Sequence, residues 1–334
     1  MTSKNMSLKN KPFLLKPIGK DYLWGGRRLN DDFSKGIPMQ PLAETWECST
    51  HHDGTSMVAS GKFKGLSLAA VLRHNPGLLG KHYADLGELP ILIKLIDAKK
   101  DLSVQVHPDD EYAFYHENGQ RGKTEMWYVL DASHNAQIVY GFSHDIEKDV
   151  LAKSLQDGTV EKYLQKIPVH RDDVFFIKPG AVHAIGAGAL IAEIQESSNL
   201  TYRLFDYNRV DKNGRKRELH IEKALAVVTH GSEQPKQPMR VLKYRRGFAS
   251  EMLCRCKYFQ VERVLVNTER CREMATLSSN GDSFKVLLCT NGCGIMTFGE
   301  GEVLNIFKGD CIFLPANSIE VKLHGELQML LVRG

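Results

Sequence analysis

A ten-residue stretch, residues 101–110, restricts the fold of this chain more than any other part of it. Its sequence, DLSVQVHPDD, alternates apolar and polar side chains until a proline interrupts the pattern. Successive side chains on a β-strand point to opposite faces, so Leu102, Val104 and Val106 would share one face. The residues at 103, 105 and 107 would share the other face. The stretch therefore predicts a strand with one apolar and one polar face.

The polar face of this strand is open to two interpretations. Ser103, Gln105 and His107 would border solvent if the strand were simply half-buried. Alternatively, an amide and an imidazole two residues apart on one face can converge on a metal ion. The stretch taken alone favours the solvent-facing strand, and the choice depends on what the rest of the chain supplies.

The composition is that of a globular protein with a sizeable hydrophobic core. The chain has 334 residues, enough for one large or two ordinary domains, of which 42% are hydrophobic and 25% charged. A net charge of +4 is too small to indicate nucleic-acid binding. No apolar run reaches the ~18 residues of a membrane helix, and no signal peptide is recognisable. We therefore expect a cytoplasmic protein with no membrane and no nucleic-acid partner.

The cysteines point to the same compartment. Their number is odd, and none of them shows the paired CxxC spacing of a zinc ribbon. Strand-like surroundings favour buried free thiols in a reducing cytoplasm. The cysteines are Cys48, Cys254, Cys256, Cys271, Cys289, Cys293 and Cys311.

Short strands and turns account for most of the chain and predict a mainly β fold. Residues 122–131 and 136–142 are expected to form a hairpin, because a short turn separates them. Residues 145–167 break the β pattern with two helical stripes, which predicts a small helical insert. The segment from Asp173 to Pro179 resembles the one from Asp310 to Pro315, and this weak internal repeat predicts two related β-barrels in tandem. We expect domains at 1–235 and 236–334.

Two further segments carry polar clusters that an ordinary surface explains. His51, His52 and Asp53 invite a metal-binding interpretation, but adjacent residues on a strand point to opposite faces, so a loop is favoured. The segment 207–217 is rich in arginine and lysine and is most simply a solvated face. A phosphate-contacting role for this basic segment remains the alternative.

Four residues from separate segments make the metal-binding interpretation of the first strand stronger. Gln105 and His107 gain two possible partners in Glu125, on a later strand, and His183, which follows a Pro-Gly turn. Two imidazoles, a carboxylate and an amide oxygen suit a divalent ion such as zinc. In the second copy of the repeat Ile319 stands where the first has His183, so we expect no metal site there.

These motifs resemble the cupin superfamily, and within it the type I mannose-6-phosphate isomerases of the shorter bacterial kind. The resemblance covers nearly the whole chain and includes Trp24-Gly-Gly26, Gly122-Lys-Thr-Glu125 and Pro179-Gly-Ala-Val-His183. It implies two tandem cupin-like β-barrels (jelly rolls), the second degenerate, and one zinc ion per chain. It also implies interconversion of mannose 6-phosphate and fructose 6-phosphate through an enediol. The expected partner is a small-molecule sugar phosphate, with no obligate protein partner.

The resemblance also assigns roles to individual residues. The implied metal ligands are Gln105, His107, Glu125 and His183; the implied catalytic residues are Lys123, Glu193 and Arg203; the implied substrate-binding residues are Ser103, Lys123 and Arg203. A lysine or glutamate could act as acid or base if its pKa is tuned by burial. An arginine could pair with the phosphate or with the enediolate. The sequence leaves open which group moves the proton.

Two positions depart from the family pattern. Asn199 stands where members commonly carry an aspartate, and Gly122 stands where some longer relatives carry a histidine. The first departure keeps open a non-catalytic cupin that binds a metal and a sugar phosphate. An iron-dependent cupin oxidase or dioxygenase is a weaker alternative, since such enzymes usually carry more histidines.

Overall fold

The structure, a computed structural model, describes residues 9–211, 213–232, 234–235, 240–269 and 273–334. Cys271 and Lys212 lie outside the described residues. The strands are β1 (Phe13–Lys16), β2 (Ile18–Lys20), β3 (Glu44–Cys48), β4 (Met57–Val58), β5 (Ile91–Asp97), β6 (Val104–Val106), β7 (Glu125–Ala132), β8 (Gln137–Phe142), β9 (Leu164–Pro168), β10 (Val174–Ile177), β11 (His183–Ile185), β12 (Ala189–Glu196), β13 (Tyr202–Phe205), β14 (Lys243–Arg245), β15 (Phe248–Arg255), β16 (Gln260–Asn267), β17 (Ala275–Leu277), β18 (Lys285–Phe298), β19 (Glu302–Phe307), β20 (Cys311–Leu314) and β21 (Val321–Arg333).

Helices are few and short, which confirms the mainly β prediction. They are α1 (Arg28–Asp31), α2 (Leu68–His74), α3 (Asp110–His116), α4 (Lys148–Gln156) and α5 (Ile221–Val227). The caps explain two of their starts. Ser67 accepts a hydrogen bond from the Ala70 amide at α2, and Asp109 accepts one from the Tyr112 amide at α3. Among the described residues, no helix is long and apolar enough to span a membrane.

The chain divides into two compact units. One comprises residues 1–18, 47–90 and 239–334, and the other comprises residues 19–46 and 91–238. The predicted domains at 1–235 and 236–334 stay a prediction. The residues predicted to act on metal and substrate all belong to the second of these units.

The second unit contains two sheets with a core between them. Their strand orders are β10-β7-β12-β5-β3-β2 and β13-β6-β11-β8-β9. Apolar side chains from both sheets form one cluster, in which Trp127 and Ile191 of the first sheet meet Ile138 and Ile185 of the second. The burial of β5 and β12 on both faces explains their nearly continuous apolar sequences.

The predicted hairpin of residues 122–131 and 136–142 is wrong. The two segments do form consecutive strands, β7 and β8, but β7 pairs with β10 and β12 while β8 pairs with β9 and β11. The connection between them therefore crosses from one sheet to the other. Both strands are almost fully buried, so each needs hydrogen-bonded neighbours on two sides that a lone hairpin does not supply.

The helical insert is shorter than the predicted 145–167. Helix α4 lies inside it, and a single 3-10 turn follows at Val160–Lys162. Leu164–Pro168 then forms β9, which pairs with β8 instead of continuing as a second helix. The i, i+3 spacing of Leu164 and Ile167 is helical, and on a strand these two side chains point to opposite faces. Pairing with β8 overrides this local pattern.

The first unit is built on one large antiparallel sheet. Its main strand order is β14-β15-β16-β21-β18-β20-β1-β4, and β17 and β19 pair with β21 and β18. The repeated segment containing Cys311–Leu314 is strand β20, and its counterpart in the second unit is β10. The strand orders of the sheets do not close, so the predicted pair of barrels is not confirmed.

Stability of the first unit should depend on a stack of three phenylalanines. Phe313 is fully buried, and its ring centroid lies 5.2 Å from that of Phe13 and 5.3 Å from that of Phe284. We expect Phe313→Ala to lower the free energy of unfolding by about 3–5 kcal/mol, because it leaves a cavity. Phe307→Ala, at an exposed position, should change it by less than about 0.5 kcal/mol. Equal effects of the two variants in urea unfolding would contradict this packing.

Candidate active site

The predicted metal ligands come together because three short strands share one register. Gln105 on β6 lies opposite His183 on β11 and opposite Arg203 on β13. Glu125, the first residue of β7, lies opposite Gln195 on β12 in the other sheet. The site is therefore formed by residues of both sheets of the second unit.

His107, Glu125 and His183 form a buried triad whose geometry fits a metal ion. The Nε2 atoms of the two histidines are 3.1 Å apart, and they lie 3.6 Å and 3.4 Å from the Glu125 carboxylate oxygens. Ligands bound to a tetrahedral zinc ion at about 2.0–2.1 Å are separated from one another by about 3.3–3.4 Å. The three side chains are thus already at the spacing that one ion requires.

The protonation states of the two histidines suit metal binding as well. Burial lowers the pKa of His183 to about 4. Burial and the positive charge of Lys123 lower the pKa of His107 well below its ordinary value. Both imidazoles are consequently neutral near pH 7, and the hydrogen bond from His183 Nδ1 to the Ala181 carbonyl, 2.8 Å long, leaves the lone pair on Nε2.

Glu125 supplies the negative charge that favours a bound cation. Lys123 Nζ lies 2.9 Å from Oε2, and within the described part of the chain Oε1 receives no hydrogen bond. Burial and the neighbouring charge of Glu193 raise the pKa of Glu125 to about 7. A buried carboxylate with unfilled lone pairs is costly unless a cation compensates it. The residues present therefore fit a divalent ion. Gln105 is half-buried and lines the adjacent pocket.

A pocket of about 270 Å³ opens beside the triad in the second unit. Its wall contains every predicted catalytic and substrate-binding residue. The lining residues are Tyr22, Trp24, Glu44, Lys94, Ile96, Leu102, Ser103, Gln105, Lys123, Ile185, Glu193, Asn199, Thr201, Arg203 and Arg217. Asn199, the departure from the family aspartate, is thus part of this wall.

Glu193 is held by partners from both neighbouring strands. It lies opposite Lys94 on β5 and Trp127 on β7. Lys94 Nζ is 3.1 Å from one carboxylate oxygen, and Trp127 Nε1 donates to the other at 3.0 Å. Burial acts to raise the pKa of Glu193, but the charges of Lys94 and Lys123 outweigh it and hold the pKa below its ordinary value. Glu193 is therefore an ionised, oriented carboxylate.

Lys94 and Glu44 belong to the site, although the sequence did not identify them as site residues. Lys94 is buried, with Glu44 as its second carboxylate partner at 3.8 Å. Burial acts to lower the pKa of Lys94, yet Glu193 and Glu44 raise it, so the amine stays charged. A lone lysine in the apolar run of β5 was the available signal. The sequence of β5 alone does not show which strand supplies the carboxylate partner of Lys94.

Arg203 occupies the opposite part of the pocket wall. Its Nε donates to Ser103 Oγ at 3.2 Å, and its Nη1 donates to the Glu218 carbonyl at 2.7 Å. Burial and the positive charge of Arg217 lower its pKa, which stays far above neutrality. A charged guanidinium fixed at two of its nitrogens is oriented for an anion.

The basic segment is organised around Asp206 at the end of β13. Arg217 Nε donates to this carboxylate at 2.8 Å, and Arg209 is a second ion-pair partner. The exposed residues among the described part of this segment agree with the solvated face favoured by the sequence, whereas Arg209 and Arg217 are paired with Asp206, and Arg217 reaches the pocket wall. His51, His52 and Asp53 lie in a turn of the first unit, as expected for a loop.

Gly122 is explained by close packing against the start of α3. A Cβ atom at this position would lie 2.3 Å from the Asp109 carbonyl carbon and 2.5 Å from the Asp110 nitrogen. Any larger side chain would displace the helix start or the segment that carries Lys123. The histidine found there in some relatives would not fit this backbone.

Comparison with known proteins identifies the relatives of this chain. The model of the type I phosphomannose isomerase catalytic domain matches residues 13–123, and that of the mannose-6-phosphate isomerase cupin domain matches residues 250–333. The mannose-6-phosphate isomerase ManA of Bacillus subtilis is 37% identical over 95% of this chain and 97% of its own length.

Solved structures show the same architecture. A crystal structure of the mannose 6-phosphate isomerase from Bacillus subtilis matches with a TM-score of 0.89 and 33% identity, covering 97% of this chain and all of that one. A zinc-bound mannose 6-phosphate isomerase matches with a TM-score of 0.75 over 97% of this chain and 99% of its own. At 16% identity the latter shows a common fold only.

The Asp206 cluster should make stability depend on pH. Burial acts to raise the pKa of Asp206, and its hydrogen bonds with Arg217 and Arg209 outweigh it and lower the pKa. A carboxyl group with a lowered pKa in the folded state stabilises the fold above its ordinary pKa and loses this contribution as pH falls through the folded value. We expect Asp206→Asn to cost about 1–3 kcal/mol at pH 7, as for a buried charged hydrogen bond.

The difference between Asp206→Asn and the unmodified protein should narrow when unfolding is measured below pH ~4, where the carboxyl group of the unfolded chain takes up a proton. Asp85→Asn, at an exposed position, should show no such pH-dependent difference. A gap for Asp206→Asn that stays constant from pH 7 to pH 3 would contradict the assigned ion pairs.

Proposed function

Because the chain belongs to the type I phosphomannose isomerase family, a family of enzymes, we propose that it interconverts mannose 6-phosphate and fructose 6-phosphate with one bound zinc ion. The reaction moves a proton between C1 and C2 of the open-chain sugar through an enediol. The observation that carries the proposal is the metal-spaced triad of His107, Glu125 and His183 next to the pocket that Lys123 and Glu193 line.

We assign the metal to Gln105, His107, Glu125 and His183. The three titratable ligands are buried and close together, and a solved isomerase of this fold is zinc-bound. When bound, zinc would supply a Lewis acid that stabilises negative charge developing on a sugar oxygen. Burial raises the pKa of Glu125 to about 7, and a bound dication would favour its ionised form. Two neutral imidazoles and one carboxylate would leave such an ion with a net positive charge, which this chemistry requires.

Lys123 and Glu193 are assigned to proton transfer. Both are buried and line the pocket next to the triad. The ion pair with Lys94 and the hydrogen bond from Trp127 keep the Glu193 carboxylate ionised and fixed, so its position is set before substrate enters. An acid and a base of opposite charge facing one small pocket can add a proton at one carbon and remove it at the next.

The phosphate group is assigned to the part of the pocket that contains Arg203. Its guanidinium is oriented by Ser103 and by the Glu218 carbonyl, and Arg217 adds a second positive charge to the same wall. Arginine binds phosphate through parallel N–H donors. The sugar would therefore lie with its reactive carbons towards Lys123 and its phosphate towards Arg203.

Other features of the chain are proposed on the same basis. The match of a cupin domain model to residues 250–333 supports cupin-like barrels in tandem, with domains at 1–235 and 236–334. Bacterial relatives that isomerise a sugar phosphate support a cytoplasmic location. The partner is the sugar phosphate itself, with no nucleic acid, membrane or obligate protein partner.

Removal of the metal should abolish turnover. We expect the protein to convert mannose 6-phosphate to fructose 6-phosphate in a coupled assay, to lose this activity to a chelator and to regain it with zinc. His107→Ala should lose zinc and activity together, because it removes one of the triad ligands, whereas His134→Ala, at an exposed position away from the triad, should keep both. Turnover that persists without metal would refute the proposed role of zinc, and no turnover by the zinc-loaded protein would refute the function itself.

Lys123→Ala should separate metal binding from chemistry. Lys123 is not among the assigned ligands, so the variant is expected to retain about one zinc per chain while kcat falls roughly 100-fold or more. Lys153→Ala, at an exposed position of α4, is the matched control and should behave as the unmodified protein. A Lys123→Ala variant with full turnover would exclude this lysine from the reaction.

A further inference from the structure

The backbone that carries Lys123 is held on both sides by carboxyl side chains. Residues 121–124 form no strand, so no neighbouring strand satisfies their amide groups. The Gly122 amide donates to Asp110 Oδ1 at 3.1 Å, and the Thr124 amide donates to Glu196 Oε1 at 2.7 Å. Hydrogen bonds from these amides to side chains of α3 and β12 fix the segment from outside the pocket.

Two backbone hydrogen bonds complete the attachment. The Lys123 amide donates to the Pro108 carbonyl at 3.0 Å, and the Glu196 amide donates to the Thr124 carbonyl at 3.0 Å. Each of the three consecutive amides, 122 to 124, therefore has an acceptor from elsewhere in the chain. The backbone of Lys123 therefore cannot shift, and cannot carry the side chain with it, unless one of these hydrogen bonds breaks.

Burial strengthens the contact between Glu196 and the Thr124 amide, whereas the contact between Asp110 and the Gly122 amide is partly buried. Glu196 is 2% exposed and Thr124 is 3% exposed, so an amide left without its acceptor there would not be compensated by water. Burial and the neighbouring charge of Asp110 raise the pKa of Glu196 to about 7. The two carboxyl groups thus lie beside each other as well as beside the lysine segment.

Neither carboxyl group is part of the pocket wall. Asp110 is the first residue of α3, and Glu196 is the last residue of β12, three positions after Glu193. The residues that line the pocket include Lys123 but not these two. Any effect that they have on the reaction must therefore be transmitted through the segment that they hold.

We propose that Asp110 and Glu196 are positioning residues that hold the Lys123 amine at its working place in the pocket by accepting the amide hydrogen bonds of Gly122 and Thr124. The proposal rests on the proposed function, because it concerns the same lysine. It also gives the Gly122 departure a reason. The absence of a side chain at 122 lets the segment approach the start of α3 closely enough for Asp110 to accept its amide.

Two substitutions at Glu196 distinguish the loss of the hydrogen-bond acceptor from the loss of the negative charge. Glu196→Leu removes the acceptor at similar volume, whereas Glu196→Gln keeps an amide oxygen at the same place. We expect Glu196→Leu to lower kcat roughly 10- to 100-fold with smaller changes in KM and with its zinc content retained, because a displacement of about 1 Å is enough for such a loss. Glu196→Gln should stay within about threefold of the unmodified enzyme.

A second measurement does not depend on activity. Hydrogen exchange of the Thr124 amide should be about tenfold or more faster in Glu196→Leu and nearly unchanged in Glu196→Gln, since only the former removes the acceptor. Asp110→Ala is the second variant, and it should accelerate exchange of the Gly122 amide and lower kcat in the same way. Thr50→Val is the matched control, because it removes a buried side-chain acceptor of the Leu89 amide in the other unit.

Several results would overturn the proposal. Glu196→Leu or Asp110→Ala with faster amide exchange but an unchanged kcat would show that the lysine is not positioned by these bonds. Glu196→Gln as inactive as Glu196→Leu would show that charge, not the acceptor, matters. Unchanged exchange in both variants would remove the physical basis of the proposal. If the unmodified protein had no isomerase activity, the function would fail while the exchange experiment still reported on the segment.

Discussion

The second unit depends on burying several charged groups next to one another without leaving any of them uncompensated. Glu125, Glu193, Lys94 and Lys123 are each less than 5% exposed. An isolated buried charge costs many kcal/mol, so these groups are tolerated only as a mutually paired set. Register provides the pairing, because Glu193 stands directly opposite Lys94. The positive charge of a bound metal would complete the balance at Glu125.

The need to place these buried charges opposite one another also explains why most of the site lies on strands. Backbone ladders fix the positions of side chains on both sheets, so His183 faces Gln105 and Gln195 faces Glu125. Lys123, like Ser103 and His107, lies outside the strands, since it precedes β7 on irregular backbone. Groups that react must be placed to within a fraction of an ångström. At residues 122–124, which lie outside the strands, side-chain carboxyl groups accept the amide hydrogen bonds that a neighbouring strand would otherwise accept.

The sequence predicted local features well and pairings poorly. The alternation of residues 101–107 and the Pro-Gly turn before His183 were enough to group the triad, and the structure places its ligand atoms within 4.8 Å of one another. The β7–β8 hairpin was wrong, because strand pairing is set by distant residues and not by the length of a turn. Lys94 stood out as a lysine in an apolar run, but its carboxylate partners lie on other strands and could not be predicted for the same reason. The catalytic and binding roles come from the family resemblance and stay proposals.

The most direct test of this account is to titrate zinc into the metal-free protein while turnover of mannose 6-phosphate and bound metal are measured on the same samples. The account predicts that turnover rises in proportion to bound zinc and stops rising at about one ion per chain, as one triad can hold. Full turnover before zinc is added, or a plateau reached only at two ions per chain, would contradict it.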